Sequence, residues 1–172
     1  MGSLINKKTD TILKTIADEF EKDGITLMPS HAYLTDLLAP KGFICGKKLS
    51  GDENKDVDFG FKIAKGIAGF DIGQTVVVKD RSVLAVESVE GTDECIRRAY
   101  HLGGENSIAV KVAKPNQDFR FDVPVIGLDT VDILKENKVR AMAVEAGVTL
   151  ILDKEDVVKK AKDSGVTIIS VG

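Results

Sequence analysis

The sequence predicts an α/β fold: a single mixed-sheet domain with helices interleaved between short strands. Three observations carry that expectation. Short β-branched runs such as TVVVK at Thr75–Lys79 have the length and composition of buried strands. Amphipathic stretches with apolar residues three and four apart lie between them and end at glycine. The polar turn Lys79-Asp80-Arg81-Ser82 joins two strand patterns directly, so at least one pair is antiparallel. About seven strands and five or six helices are expected over residues 9–172, behind a flexible segment at residues 1–8.

Taken in order, Thr9 to Lys22 reads as a helix, with Ile12, Leu13, Ile16, Ala17 and Phe20 as its apolar stripe and Gly24 as its stop. Ile25 to Met28 reads as a short strand, and Ser30 is placed to cap a helix over His31–Leu38 that Pro40 closes. Ser50 and Glu53 have capping-box spacing and open a helix that carries Val57, Phe61, Ala64 and Ile67 to about Phe70. Strands follow at Thr75–Lys79 and Ser82–Val89. Thr92 is placed to cap the next helix, with Asp93 and Glu94 in its first turn and Gly103-Gly104 at its end.

Ser107 to Ala113 alternates as a strand, with Ile108, Val110 and Val112 on one face and Lys111 on the other. Beyond the loop Asn116-Gln117-Asp118, period two is clean: Phe119, Phe121 and Val123 on one side, Asp118, Arg120 and Asp122 on the other. A helix from Asp129-Thr130 to Asn137, strands at Ala141–Ala146 and Val148–Leu152, a helix capped by Asp153 and a strand at Val166–Val171 complete the chain.

The chemistry concentrates between Ser82 and Pro124. Glu90, Thr92 and Asp93 stand at a strand-to-helix turn, a place where α/β proteins hold ligands. Two carboxylates on one strand face, roughly 7 Å apart, can share a hard cation, and Mg2+ favours such oxygens together with substrate phosphate. Lys111, Lys114 and Arg120 can neutralise charge on a phosphoryl group. The same alternation is also what the wet face of a half-exposed sheet looks like, so spacing alone leaves both readings open. Gln74 serves equally well as a site residue or as an amide bonded to backbone.

With 43% hydrophobic and 30% charged residues in 172, the composition is that of a globular domain. The net charge of −3 and the lack of a basic block argue against nucleic acid. Cys45 and Cys95 are too few and too scattered for a disulfide framework or a cysteine zinc site, and read as reduced thiols of a cytosolic protein. His31 and His101 lack metal-ligand spacing, and no G-x-S-x-G elbow occurs. No segment is long and apolar enough to span a bilayer, and no signal peptide opens the chain.

Four stretches, FDIGQTVVV, VESVEGTDECIRRA, VKVAKPNQDFRFDVPVIGLDT and AVEAGVTLILDKEDVV, resemble in sequence and order the C-terminal domain of the bacterial UDP-2,3-diacylglucosamine pyrophosphatases. The resemblance runs from about Thr9 to Gly172. It implies a magnesium-dependent hydrolase of lipid A synthesis, with Mn2+ as the alternative to Mg2+, that releases UMP and 2,3-diacylglucosamine 1-phosphate. It further implies a two-domain homodimeric enzyme of the cytoplasm, peripheral at the inner membrane, whose N-terminal domain this chain lacks. In that setting Asp122 is the metal ligand or the group that orients water. Asp118 joins it on the metal and Asp93 assists. Lys111, Lys114 and Arg120 hold phosphate oxygens, and Glu90, Thr92 and Gln74 line the substrate. The alternative is a lipid-binding or dimerisation module without catalysis of its own.

Overall fold

The computed structural model describes residues 9–172; the expected flexible segment at residues 1–8 lies outside the described residues. The chain runs α1 (Thr9–Lys22), β1 (Gly42–Cys45), α2 (Gly51–Gly69), β2 (Thr75–Lys79), β3 (Ser82–Val86), α3 (Thr92–Gly103), β4 (Ile108–Lys111), β5 (Val125–Ile126), α4 (Leu128–Glu136), β6 (Ala141–Glu145), β7 (Leu150–Ile151), α5 (Lys154–Asp163) and β8 (Thr167–Val171). Six strands form one sheet in the order β1-β8-β6-β4-β2-β3. The β4, β6 and β8 strands are mutually parallel, while β2 is antiparallel to β4 and β3 to β2. The mixed sheet expected from the sequence is the one observed.

Alternation along the central strands splits the core into two layers. Val76, Val78, Ile108 and Val110 pack under α2 with Val57, Ala64 and Ala68. Val77, Ala109, Met142, Val144 and Ile168 face the other way and meet α3, α4 and α5 through Cys95, Ile96, Leu134, Val157 and Ala161. Each fully buried Val, Ile or Leu contributes about 1.5–3 kcal/mol, so the two layers together hold the sheet between its helices. Gly60 lets α2 lie close to the sheet, since a Cβ there would stand 2.7 Å from a Val110 methyl. The Ser50–Glu53 capping box opens α2 as expected, with Ser50 Oγ accepting from Glu53 N at 3.2 Å. Cys45 and Cys95 are buried and free, and desolvation pushes the Cys95 thiol up to about 12.

Several local expectations are corrected. The run Phe119–Val123 is a turn, not a strand. Asp118 bends its carboxylate back onto the Arg120 amide and guanidinium, and its carbonyl accepts from Phe121 N and Asp122 N, so the local bonds win over a ladder. Ile25–Met28 pairs with no strand among the described residues; Ile25 N instead closes the end of α1 on Phe20 O. The segment expected as a helix over His31–Leu38 forms turns and a short 3-10 piece, Thr35–Leu37, whose amides bond three residues back, Leu34 N to His31 O and Leu37 N to Leu34 O, instead of four. Ser30 gives its hydroxyl to Arg120 O rather than capping a helix. Gly91, at φ 85°, is the N-cap of α3, which makes Thr92 the first helical residue. Asp153 precedes α5 in the left-handed region and its side chain makes no cap bond. The stretch after Gly147 leaves the main sheet, and β7 pairs instead with β5 in a separate parallel pair.

The hairpin at Lys79-Ser82 is held from outside. Asp80 and Arg81 both have positive φ, which fits the twist of a two-residue turn. The buried Asp56 carboxylate on α2 accepts from Asp80 N at 2.9 Å and Arg81 N at 2.7 Å. Charge-assisted bonds of this kind contribute about 1.5–3 kcal/mol. Asp56→Ala is therefore expected to lower unfolding stability by about 2–3 kcal/mol in urea titrations, and a loss below about 0.5 kcal/mol would refute the clamp.

Candidate functional site

At the carboxyl end of β4 the sheet reverses direction, and the start of β2 lies beside the end of β4, with Thr75 opposite Lys111. A cleft of about 440 Å3 opens there, bounded by Asp71–Gln74, Glu87, Lys111, Lys114 and Asp122–Val125. Ligands in open α/β sheets bind at such strand ends, where the chain order changes direction.

Lys111 forms the floor. Strand alternation turns it away from α2 and toward the first turn of α3, where Nζ donates to Thr92 Oγ1 at 3.0 Å. Thr92 donates to Glu87 Oε1 at 3.0 Å and contacts Thr75 Oγ1 at 3.3 Å. Burial pulls the Lys111 ammonium below the ordinary lysine range, opposed by the charges of Glu87, Asp93 and Asp122. Glu87 Oε2 also accepts from Gln74 N at 3.2 Å. The backbone passes so close here that a Cβ on Gly73 would stand 2.0 Å from the Glu87 carbonyl oxygen, which only glycine avoids.

The opposite wall is Asp122. Its Oδ2 accepts from Gln74 Nε2 at 3.2 Å and from Gln117 Nε2 at 2.8 Å. Gln117 also accepts from Lys114 N at 2.9 Å, so one side chain ties the loop to its own exit. Lys114 Nζ pairs with Asp71 Oδ1 at 2.6 Å across the rim. One residue earlier, Ala113 is clamped on both backbone groups: its N donates to Glu145 Oε2 at 2.8 Å and its O accepts from Lys65 Nζ at 2.9 Å, while Lys65 and Glu145 pair at 3.0 Å.

The residues singled out in the sequence thus divide. Asp122, Lys111, Lys114 and Gln74 line the cleft, Thr92 stands behind it through its bond with Lys111, and exposed Asp93 lends its charge to Lys111. Asp118 and Arg120 sit outside its lining, joined to each other at 2.7 and 2.9 Å and reaching toward Glu21 of α1. That pairing holds the Asp118 carboxyl below the ordinary carboxylate range. Glu90 turns to the far side of α3, where it accepts from Arg98 Nη2 at 2.5 Å, and it too is held low by that bond. The split follows from the turn at Phe119–Val123: without strand geometry, the alternate positions no longer share a face. Glu87, not named among the sequence-derived site residues, is the addition. As a lone glutamate just past the end of β3, it has no local spacing that marks it.

The donor set bears on Mg2+. Asp118 and Asp122 do not converge, and among the described residues no three His, Cys, Asp or Glu side chains are placed to share an ion. An all-protein cage is therefore not provided. One carboxylate facing a cleft, completed by substrate phosphate oxygens and water, is the arrangement Mg2+ accepts, and Asp122 fits it.

The profile of the LpxI C-terminal domain family matches residues 40–169. The chain belongs to this family. It is 33% identical over 173 residues to the UDP-2,3-diacylglucosamine pyrophosphatase LpxI of Caulobacter vibrioides, an overlap covering 96% of this chain and 62% of that protein. The chain thus spans under two thirds of the length of this LpxI relative. Among solved structures, a dCMP deaminase from cyanophage S-TIM5 superposes with a TM-score of 0.43 at 13% identity, covering 72% of this chain and all of the deaminase chain. Acinetobacter baumannii RibD gives 0.39 at 14%, covering 67% of this chain and 35% of RibD. Superpositions this loose carry no functional argument. The matched LpxI segment contains every cleft residue named above. Among the described residues no helix is long and apolar enough to cross a membrane.

The burial of Lys111 has a measurable pH signature. Between its lowered value in the fold and the ordinary lysine range, the unfolded chain binds more protons, so stability rises with pH in that window. Relative to Lys111→Met, wild-type Tm is expected to climb as pH goes from 7 toward about 10. Parallel Tm curves for the two proteins would contradict the burial of a charged Lys111.

Proposed function

We propose that this chain carries the hydrolytic cleft of a UDP-2,3-diacylglucosamine pyrophosphatase, which cuts the pyrophosphate to UMP and 2,3-diacylglucosamine 1-phosphate. The observation that supports this most is the meeting of Asp122, Lys111, Lys114 and Gln74 in one cleft of a chain from the LpxI family. Asp122 is fixed by two side-chain amides on one oxygen, a geometry suited to orienting a water against the α-phosphorus. As water adds, the bond from that phosphorus to the bridging oxygen breaks, and the sugar 1-phosphate leaves with the bridging oxygen while the water gives up a proton. Lys111 and Lys114 hold phosphate oxygens and offset the charge that builds on them. Mg2+, or Mn2+ in its place, held by Asp122 with phosphate oxygens, would supply further charge neutralisation at the phosphoryl group.

The full reading includes a homodimer in the cytoplasm that meets its lipid substrate at the inner membrane surface, with an N-terminal domain sharing the substrate. The relative's additional length favours one second reading, a lipid-binding or dimerisation module whose chemistry lies elsewhere. UMP release from UDP-2,3-diacylglucosamine with Mg2+ decides between them. The assay uses this chain alone, and then this chain with the remaining portion of the Caulobacter protein added or fused.

Turnover in either arm, reduced at least about a hundredfold by Asp122→Ala, supports the hydrolytic cleft. Turnover by the folded Asp122→Ala variant at the wild-type rate moves the chemistry out of this cleft. Silence of folded wild-type protein in both arms favours the binding module.

A further inference from the structure

The Thr92 hydroxyl has a full set of partners, and counting protons shows which way they run. Its one proton goes to Glu87 Oε1 at 3.0 Å, so in the 3.3 Å contact with Thr75 the Thr75 hydroxyl is the donor. Thr92 also accepts from Lys111 at 3.0 Å. An ammonium has three protons, which leaves two of the Lys111 N–H groups for the cleft. The second Glu87 oxygen accepts from Gln74 N, and the side chain of Gln74 reaches Asp122. One carboxylate therefore stands behind both walls of the cleft, linked to the cation by a hydroxyl and to Asp122 by a backbone amide.

We propose that Glu87 is a positioning residue of this site: through Thr92 it keeps Lys111 charged and aimed at substrate phosphate, and through the Gln74 backbone it seats Asp122. The assignment of phosphate as the ligand rests on the pyrophosphatase reading above. The coupling of Glu87 to Lys111 stands on the geometry alone.

The charges around Lys111 show why one carboxylate matters. Burial disfavours the ammonium, and Glu87 from the segment after β3, Asp93 from α3 and Asp122 from the loop before β5 oppose it. Lys114 and Asp71 line the same cleft as an ion pair of their own. Of the three carboxylates, Glu87 alone shares a hydrogen-bonded partner with Lys111. Glutamine at this position keeps the size and one accepting oxygen for the Gln74 amide; its NH2 can donate to Thr92, whose proton then turns to Thr75, so the contacts can be kept while the charge is removed.

The test reads Lys111 directly, since only the neutral amine is acylated. The chain is treated with limiting acetic anhydride at about pH 8, and modification of the Lys111 peptide is followed by mass spectrometry in wild type, Glu87→Gln, Thr92→Val and Glu87→Asp. Loss of a pKa unit in a mostly protonated lysine raises its neutral fraction about tenfold and its reactivity by several-fold, roughly three to ten. That increase is expected in Glu87→Gln and Thr92→Val, with Glu87→Asp near wild type. In UMP release, Glu87→Gln should raise KM and move the alkaline limb of kcat/KM to lower pH.

Unchanged Lys111 reactivity in folded Glu87→Gln overturns the proposal, and if that variant does not fold, Thr92→Val decides alone. A reactivity shift alongside wild type that releases no UMP in any arm overturns the pyrophosphatase reading and the phosphate role of Lys111, while the Glu87–Lys111 coupling stands.

Discussion

The arrangement depends on one reversal of strand direction. Because β2 runs against β4 while β6 runs with it, the start of β2 is hydrogen-bonded beside the end of β4, and Thr75 faces Lys111. Had β2 been parallel, its N-terminal end would lie at the opposite edge of the sheet, about four residues or some 13 Å away. The reversal also brings the return strand β3 to the same rim, which is how Glu87 comes to lie over Gln74. A hairpin of two positive-φ residues, held by Asp56 from a neighbouring helix, is what makes the reversal possible.

The site combines two kinds of support. On one side the groups stand on regular elements: Lys111 on a central strand, Thr92 in the first turn of α3, and Thr75 at the head of β2. On the other side Asp122 stands on an irregular loop that closes on itself through Asp118–Arg120 and Gln117. The loop is anchored at its start by the Lys65–Glu145 grip on Ala113 and at its end by Leu150 N donating to Pro124 O. Groups on rigid elements hold their geometry, whereas groups on loops adapt to what binds. That division suits a cleft with fixed cations facing a carboxylate that must meet both solvent and ligand.

Much of the scaffold could be read from the residues, for identifiable reasons. The Ser50–Glu53 box and the valine runs each express a strong local preference, and the fold agrees with them. Lys111 was legible as well, because strand alternation alone sends it to the face opposite Val110. The acidic run after Gln117 was not. Its period-two pattern matches a strand, but Asp118 prefers to satisfy nearby backbone and the adjacent guanidinium, and Ser30 arrives from ninety residues away to take the exposed carbonyls. Such a partner is invisible to any local window. Glu87 was missed because its role lies in what it joins across the fold, and a lone glutamate after a strand carries no spacing that announces this.

The glycine at position 73 leaves one more mark. Its backbone lies against the carbonyl of Glu87, so the course of the chain there is set by main-chain contact and not by the side chains that follow. The next residue, Gln74, starts from that fixed point and carries its side chain to Asp122. The protein has in effect a fixed stem beside Asp122, from which that side chain is presented. Substitution is thereby barred at the stem, since any side chain at Gly73 would collide with the Glu87 carbonyl.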